Sequence, residues 1–298
     1  LRVWLFGGDN NMTKYHENKD IHHDIDKAID QARNSSKKRN ENNSELYYHY
    51  MTIDTLKIIL NNKSLRLSRL DKVRNDETEF DRVMNADNAR KMFVGCFTNT
   101  PEENKYFWEE YAQKEKGVRL GFNKLLFNTE KVYYIPCCNN NRALIPTYEH
   151  WEKGNDFLRW HQTMQGLDML DMIYSDGDLF YTNPNSTYVQ ESINNGHPIK
   201  KEIITIQLCN IYHIGHVKNK NKWSKECETR VRMFIEKSGS EVPDFEHIYL
   251  PFEDEAFSEF EILFNPWMKS EEKNKIMKTV QEILPNSKIS FRNSELSC

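Results

Sequence analysis

Glycine is scarce in this chain. Eleven among 298 residues is about half the usual share of roughly 7%. No G-x-G-x-x-G, no Walker A loop and no G-x-S-x-G elbow occurs, which excludes the familiar glycine-built cradles for dinucleotides and triphosphates and the hydrolase nucleophile turn. Cysteine is sparse as well: six residues without regular spacing and without a C-x-x-C make no disulfide framework. Adjacent Cys137 and Cys138 suit neither a simple bridge nor a zinc site. His213-x-x-His216 has no cysteine or acidic partner at ligand spacing, so no metal site is expected. No apolar run approaches the roughly 18 residues of a membrane span, and the mean hydropathy is −0.81. Arg2 to Phe6 is too short for a secretory apolar region and no small-residue cleavage site follows it, so no signal peptide is expected. With the cysteine usage, this predicts a cytoplasmic protein that does not engage membranes. A net charge of −4, from 41 basic and 45 acidic residues, removes any global electrostatic case for binding nucleic acid or lipid.

What is present is a core-forming pattern: 38% of residues are hydrophobic and 29% charged. Residues 1–45 read as a polar extension with one amphipathic helix, marked by Ile21, Ile25, Ala28, Ile29 and Ala32 on one stripe. Asn34 to Asn43 reads as a linker, and a single domain is expected over 46–298. There the signals alternate. Strands are predicted at 47–51, 64–70, 93–98, 117–122, 131–135, 203–214, 227–235, 260–264 and 288–291. Helices are predicted after Thr52, after the capping box Thr100-Pro101-Glu102-Glu103, and over 270–284. The stretch 142–197 reads as a mainly helical insertion, its apolar positions including Trp151, Leu158, Trp160, Leu167, Leu170 and Ile173. Strands and helices without a strict βαβ rhythm predict an α+β fold with a mixed or antiparallel central sheet and flanking helices. Trp108, Tyr111, Leu120, Val231 and Ile262 are expected in one core.

The densest polar constellation runs from Trp223 to Phe234. On a strand, Glu226, Glu228, Arg230 and Arg232 would share one face and Cys227, Thr229, Val231 and Met233 the other. Two carboxylates and two guanidiniums on one face make either a solvated salt-bridge ladder or a catalytic wall. Trp223 beside them could stack on a ring-shaped ligand. Glu228 lies deeper in the apolar segment than Glu226, with Arg230 the nearest cation to keep it ionised. Two further groups are Tyr48-His49-Tyr50-Met51-Thr52 and Cys96-Phe97-Thr98-Asn99-Thr100, in which Thr52 and Thr100 also read as helix caps.

In order, Tyr48-x-Tyr50, Leu67-Ser68, Asn75-Asp76-x-x-Glu79, Cys96-Phe97-Thr98, Trp108-x-x-Tyr111-Ala112, Lys116-Gly117-Val118 and Trp223-x-x-Glu226-x-Glu228-x-Arg230 resemble the bacterial family catalogued as domain of unknown function 2971. The resemblance covers about 46–296 and extends to Phe260 through Pro266. The chain departs from it at Glu77, where the family commonly has proline, and at Asn265-Pro266, where it commonly has glycine-proline. A looser resemblance, to ADP-ribosyltransferases, rests on Tyr50-Met51-Thr52, Thr98-Asn99-Thr100 and Glu226-Cys227-Glu228 in that order. It implies NAD as substrate, of the kind used by toxins and phage-defence effectors. Under it Glu228 and Glu226 are catalytic; Tyr50, Thr52, Thr98, Thr100, Trp223 and Arg230 bind NAD; and the acceptor is a protein or nucleic acid. Cleaving the nicotinamide–ribose bond builds positive charge on the ribose, which a fixed carboxylate stabilises. Glu228→Gln is then expected to abolish cleavage with the fold intact. Two alternatives stand beside it: a non-catalytic sensor or adaptor with an aromatic-rich surface, and a metal-dependent nuclease effector using Glu226, Glu228 and a nearby Asp or His around Mg²⁺.

Overall fold

The computed structural model describes residues 12–14, 31, 34–35, 38, 47–73, 86–113, 116–122, 127–128, 131–136, 141–145, 159–161, 168–175, 185–194, 197–207, 217–236 and 242–296. The first strands are β1 (Met12–Lys14), β2 (Tyr47–Thr52), β3 (Ser64–Arg69), β4 (Met92–Thr98), β5 (Gly117–Phe122) and β6 (Tyr133–Tyr134). Then come β7 (Ala143–Leu144), β8 (Arg159–His161), β9 (Asp168–Asp171), β10 (Ile173–Ser175), β11 (Asn185–Asn194) and β12 (His197–Gln207). The last are β13 (Val217–Asn219), β14 (Glu228–Glu236), β15 (His247–Pro251), β16 (Phe260–Phe264) and β17 (Ser290–Asn293). Helices are α1 (Ile53–Asn62), α2 (Ala86–Lys91), α3 (Lys105–Glu110), α4 (Lys220–Trp223) and α5 (Ser270–Ile283).

The fold is α+β, with a mixed, mostly antiparallel sheet and several helices. The main sheet runs β17-β16-β5-β2-β4-β3-β15-β6-β7, with β14 also on β4 and with β8 and β9 on β14. Among the described residues only β16 and β17 pair in parallel within it. Strand β4 organises the sheet. One of its edges pairs with β14 from Met92 to Thr98. The other is shared: β3 takes Phe93 and Val94, and β2 touches only Thr98. Gly95 lies between those two partners, where an added Cβ would stand 2.7 Å from Leu67 Cδ2. The close passage of β3 therefore needs a residue without a side chain.

Each face of this sheet carries different chemistry. One buries Tyr47, Met51, Phe97, Leu120, Val231 and Ile262 together with Leu56, Ile59 and Leu60 of α1 and Ile276 and Val280 of α5. Helix α1 starts where Thr52 accepts from the Thr55 N–H at 3.2 Å and stops at Lys63, left-handed at φ 48. The other face holds two smaller clusters. Tyr50, Phe107, Trp108, Ala112 and Leu263 form one; Leu70, Ala89, Met92, Val94 and Phe234 form the other. Trp108 and Tyr111 are thus separated from Leu120, Val231 and Ile262 by the thickness of the sheet, and the single core expected from sequence is two layers.

Two other expectations need correction. The described part of 142–197 is strand, not helix: β7 to β11 all lie there. Strands β8 and β9 complete the second edge of β14, with Trp160 opposite Ile235 and Leu170 opposite Arg230, so pairing overrides helix-like spacing. The capping box at Thr100 does not start a helix. Arg119 Nη1 donates to the Pro101 carbonyl at 2.8 Å, and α3 begins only after Asn104, whose side chain accepts from the Tyr106 N–H at 2.9 Å. In the N-terminal extension, Met12–Lys14 pairs with β11; most of the expected helix around Ile21 to Ala32 lies outside the described residues, as do Asn75, Asp76, Glu79 and the pair His213 and His216.

Candidate functional site

Strand register brings distant residues into one row. Glu228 pairs with Thr98, Thr98 with Tyr48, Tyr48 with Gly121 and Gly121 with Glu261. In the next row Arg230 pairs with Cys96, and Tyr50 with Arg119. Paired residues share a face, so Tyr48, Tyr50, Thr98, Cys96, Glu228 and Arg230 all point to the side away from the large core. There they line a cleft of about 100 Å³, closed further by Phe107, Tyr111, Glu226 and Lys218.

Its floor is an ion cluster. Glu228, Glu226, Lys218 and Arg230 are all buried, Arg230 completely. Arg230 Nε donates to Glu228 Oε1 at 2.5 Å; Lys218 Nζ lies 2.5 Å from Glu228 Oε2 and 3.0 Å from Glu226 Oε2. The Tyr111 hydroxyl donates to Glu226 Oε1 at 2.5 Å. Burial alone would raise the Glu228 carboxyl, but the Arg230 guanidinium and then the Lys218 ammonium more than reverse it and hold the pKa at about 2. For Lys218, burial works against the charge and Glu228 prevails, leaving its pKa raised. Both groups are therefore charged at neutral pH. The Cys96 thiol donates to Glu228, and its pKa is driven up chiefly by burial. Backbone geometry completes the floor: the Glu228 N–H donates to the Tyr174 hydroxyl at 2.8 Å, and the Thr98 hydroxyl donates to the Glu226 carbonyl at 2.7 Å.

Aromatic rings make the walls. Tyr50 packs edge-on to Trp108 with centroids 4.9 Å apart and at 5.1 Å from Phe107. His49 fills the gap that β2 and β3 leave along β4. Its Nδ1–H donates to the Cys96 carbonyl at 2.9 Å, which assigns the proton to Nδ1. Burial lowers its pKa to about 4, so the ring is neutral at pH 7.

Of the residues singled out from sequence, Tyr50, Thr98, Glu226, Glu228 and Arg230 come together in this cleft. Thr52, Thr100 and Trp223 do not line it. Thr52 caps α1 and lines a groove between α1 and α5. The Thr100 N–H donates to Thr98 Oγ1 at 3.3 Å, making Thr100 part of the turn that leaves β4. Trp223 ends α4 and reaches the cluster only through Lys218, whose ammonium stands 4.9 Å from its ring centroid. The expected shared strand face of Glu226 and Glu228 is also corrected. Glu226 sits in a short 3₁₀ turn and Cys227 is left-handed at φ 42, so the strand starts at Glu228. The carboxylates meet through Lys218 instead. A water-facing salt ladder is excluded by the burial of all four charges.

Sequence reasoning passed over Lys218, Arg119 and Tyr174. Lys218 is one of several lysines between 218 and 225, and only the pairing of β13 with β10, which sets Lys218 opposite Tyr174, distinguishes it. Among the described residues no group of three or more His, Cys, Asp and Glu stands at metal-binding geometry, and no helix is long and apolar enough to cross a membrane. No protein-family model matches the chain, and no curated protein or solved structure matches it significantly.

Proposed function

We propose that the cleft receives the nicotinamide–ribose end of NAD and that the protein is an ADP-ribosyltransferase-like enzyme of the cytoplasm, acting on a protein or nucleic-acid acceptor as a toxin or defence effector does. The observation that supports this most is convergence: Tyr50, Thr98 and Glu228, from three strands spread over most of the chain, line one cleft. A cavity of about 100 Å³ is well below the roughly 300–1,000 Å³ of a site for a whole drug-sized ligand, so it would take little more than the ring, with the ribose at its mouth and the rest outside. Tyr50 and Phe107 would flank the nicotinamide. When the glycosidic C–N bond breaks, its electron pair leaves with nicotinamide, and the ribose becomes cationic. Glu228, ionised at neutral pH, would stabilise that cation. Glu226, held by Tyr111 and Lys218, would orient the incoming acceptor hydroxyl or water, whose proton passes to solvent at the cleft mouth as the new C–O bond forms. The resemblance to domain of unknown function 2971 stands on the residues quoted for it and adds no activity.

One observation favours the second reading, a non-catalytic ligand sensor. Both oxygens of Glu228 are already held by cations, Oε1 by Arg230 and Oε2 by Lys218, and a neutralised carboxylate stabilises a passing cation less well. Calorimetric titration with NAD, followed by chromatographic assay for free nicotinamide, separates the two readings. Binding with nicotinamide release supports the enzyme, binding without release the sensor, and no binding removes NAD from both.

A further inference from the structure

The buried charges around the cleft do not cancel. Glu226 and Glu228 balance Lys218 and Arg230. Arg119 is left over. It is 5% exposed, lies on the same sheet face as Tyr48 and Tyr50, and pairs in register with Tyr50. Its guanidinium stands 4.2 Å from the Tyr48 ring centroid and 5.8 Å from that of Tyr50, both cleft-lining rings. Nη1 donates to the Pro101 carbonyl, and Nε, buried, has no acceptor. No carboxylate pairs with Arg119 among the described residues. The acids whose charges reach the two tyrosines are committed elsewhere: Glu103 accepts from Trp108 Nε1, the Ser294 hydroxyl and the Glu295 N–H, and Glu261 is paired with Arg292.

A guanidinium removed from water without a counter-ion is costly, because one carbonyl, the Tyr50 hydroxyl and two ring faces replace only part of its hydration and leave Nε without an acceptor. Such a charge beside a cleft is a waiting half of an ion pair. We infer that the ligand of this cleft carries an oxyanion, a phosphate or carboxylate, that seats against the Tyr48–Tyr50 wall and gives Arg119 its missing acceptor. The planar fork of Arg119 suits an oxyanion of either kind. This rests on the cleft being a ligand site but not on its chemistry being NAD cleavage.

Three matched pairs of probes, each differing by one anionic group, test it by calorimetry: nicotinamide mononucleotide against nicotinamide riboside, AMP against adenosine, and nicotinate against nicotinamide. The expected result is that the member carrying the phosphate or carboxylate in at least one pair binds at least about tenfold more tightly, and that Arg119→Gln abolishes this gap while the member without that group binds as before. A gap in the first two pairs points to a phosphate, in the third alone to a carboxylate. Equal affinities within every pair, no binding by any anionic member at millimolar concentration, or a gap that survives Arg119→Gln would overturn the inference. If Arg119→Gln does not fold, a crystal structure of the wild type with the tightest anionic probe decides. An oxyanion hydrogen-bonded to Arg119 supports the inference, and one bound at Lys218 and Arg230 instead overturns it. A tenfold gap in a protein that never releases nicotinamide from NAD would sustain this inference and sink the transferase reading; nicotinamide release with no gap would do the reverse.

Discussion

The two faces of the central sheet are built from the same strands by opposite rules. On one, Phe97, Leu120, Val231 and Ile262 vanish into apolar packing, and each is close to replaceable by another residue of its size. On the other, one residue along each strand, Glu228 and Arg230 are equally buried but replaceable by nothing that breaks their pair, and Arg119 is buried with no carboxylate beside it. Apolar burial stabilises in proportion to area, whereas buried ion pairs return little net stability and punish the loss of one partner. A sheet that places such charges inside, next to a cleft, is holding groups in position at some expense to its own stability.

The sharpest way to break this comparison is to treat the charged face as if it were the apolar one. Arg230→Met alone leaves Glu228 with Lys218 only and is expected to cost about 3–5 kcal/mol. Glu228→Gln should cost about 3 kcal/mol by the same mechanism, since Lys218 and Arg230 would then be under-compensated. Loss of NAD cleavage in this variant therefore carries weight only with its folded fraction measured. The double change Glu228→Leu with Arg230→Met removes both charges of one pair and should recover to within about 2 kcal/mol of wild type while losing ligand binding. Urea denaturation of the three variants reads this directly. A double variant as unstable as Arg230→Met would mean that the pair serves the fold.

Acid should expose the same asymmetry. The folded pKa of His49, about 4, lies below the ordinary 6.5. Its contribution is therefore complete above pH 6.5 and is lost as pH falls toward 4, by up to about 3 kcal/mol. Glu228, at about 2 against 4.5, extends the loss from pH 4.5 downward. His49→Asn keeps a donor for the Cys96 carbonyl but cannot titrate. Thermal unfolding of this variant should lose less stability than the wild type between pH 6.5 and 4.5, the remaining slope coming in part from His247, whose pKa burial also lowers. An unchanged slope would place the acid sensitivity elsewhere.

How much of this was legible follows the same division. Short runs rich in apolar and β-branched residues placed β5 and β16 at their observed ends, 117–122 and 260–264, and β2, β3 and β4 within a residue, although alternation was read in β3 alone and β5 is buried at every position. The order of Tyr50, Thr98 and Glu228 was legible too, but not their register, which depends on β4 sharing one edge between β2 and β3. Cys227 in the left-handed region carries no sequence signal, since glycine or asparagine is the usual occupant there. The strand content of 142–197 was hidden because short apolar runs read alike as helix or strand until a partner edge, here β14, selects one.

Gly95 tests the apolar face at its tightest point. Gly95→Ala would set a Cβ against Leu67 Cδ2, and at 3.2 Å from Leu65 Cδ2, so the leucine side chains must turn in a filled core. We expect a loss of about 1–3 kcal/mol. Ligand affinity should be unchanged, because the added methyl lies across the sheet from the cleft. Reduced affinity at equal folded fraction would show that the spacing of β3 and β4 also sets the cleft.

The smallest effect separates a helix cap from a binding residue. Thr52 was expected among the NAD-binding residues, yet its hydroxyl accepts from the Thr55 N–H and lies near the Thr55 hydroxyl at 3.0 Å, two residues beyond Tyr50 on β2 and outside the cleft. Thr52→Ala should therefore cost about 1 kcal/mol, the ordinary value of a lost N-cap, and leave the affinity for every cleft probe where it was. Thr98→Val is the matched control on the site side. It removes the donor to the Glu226 carbonyl, one of the contacts that tie the end of β4 to the turn carrying Glu226, while keeping side-chain volume. Calorimetry on the two variants with the same probe gives the comparison. Weakened binding in Thr98→Val alone is the expected result, and equal weakening in both would return Thr52 to the site.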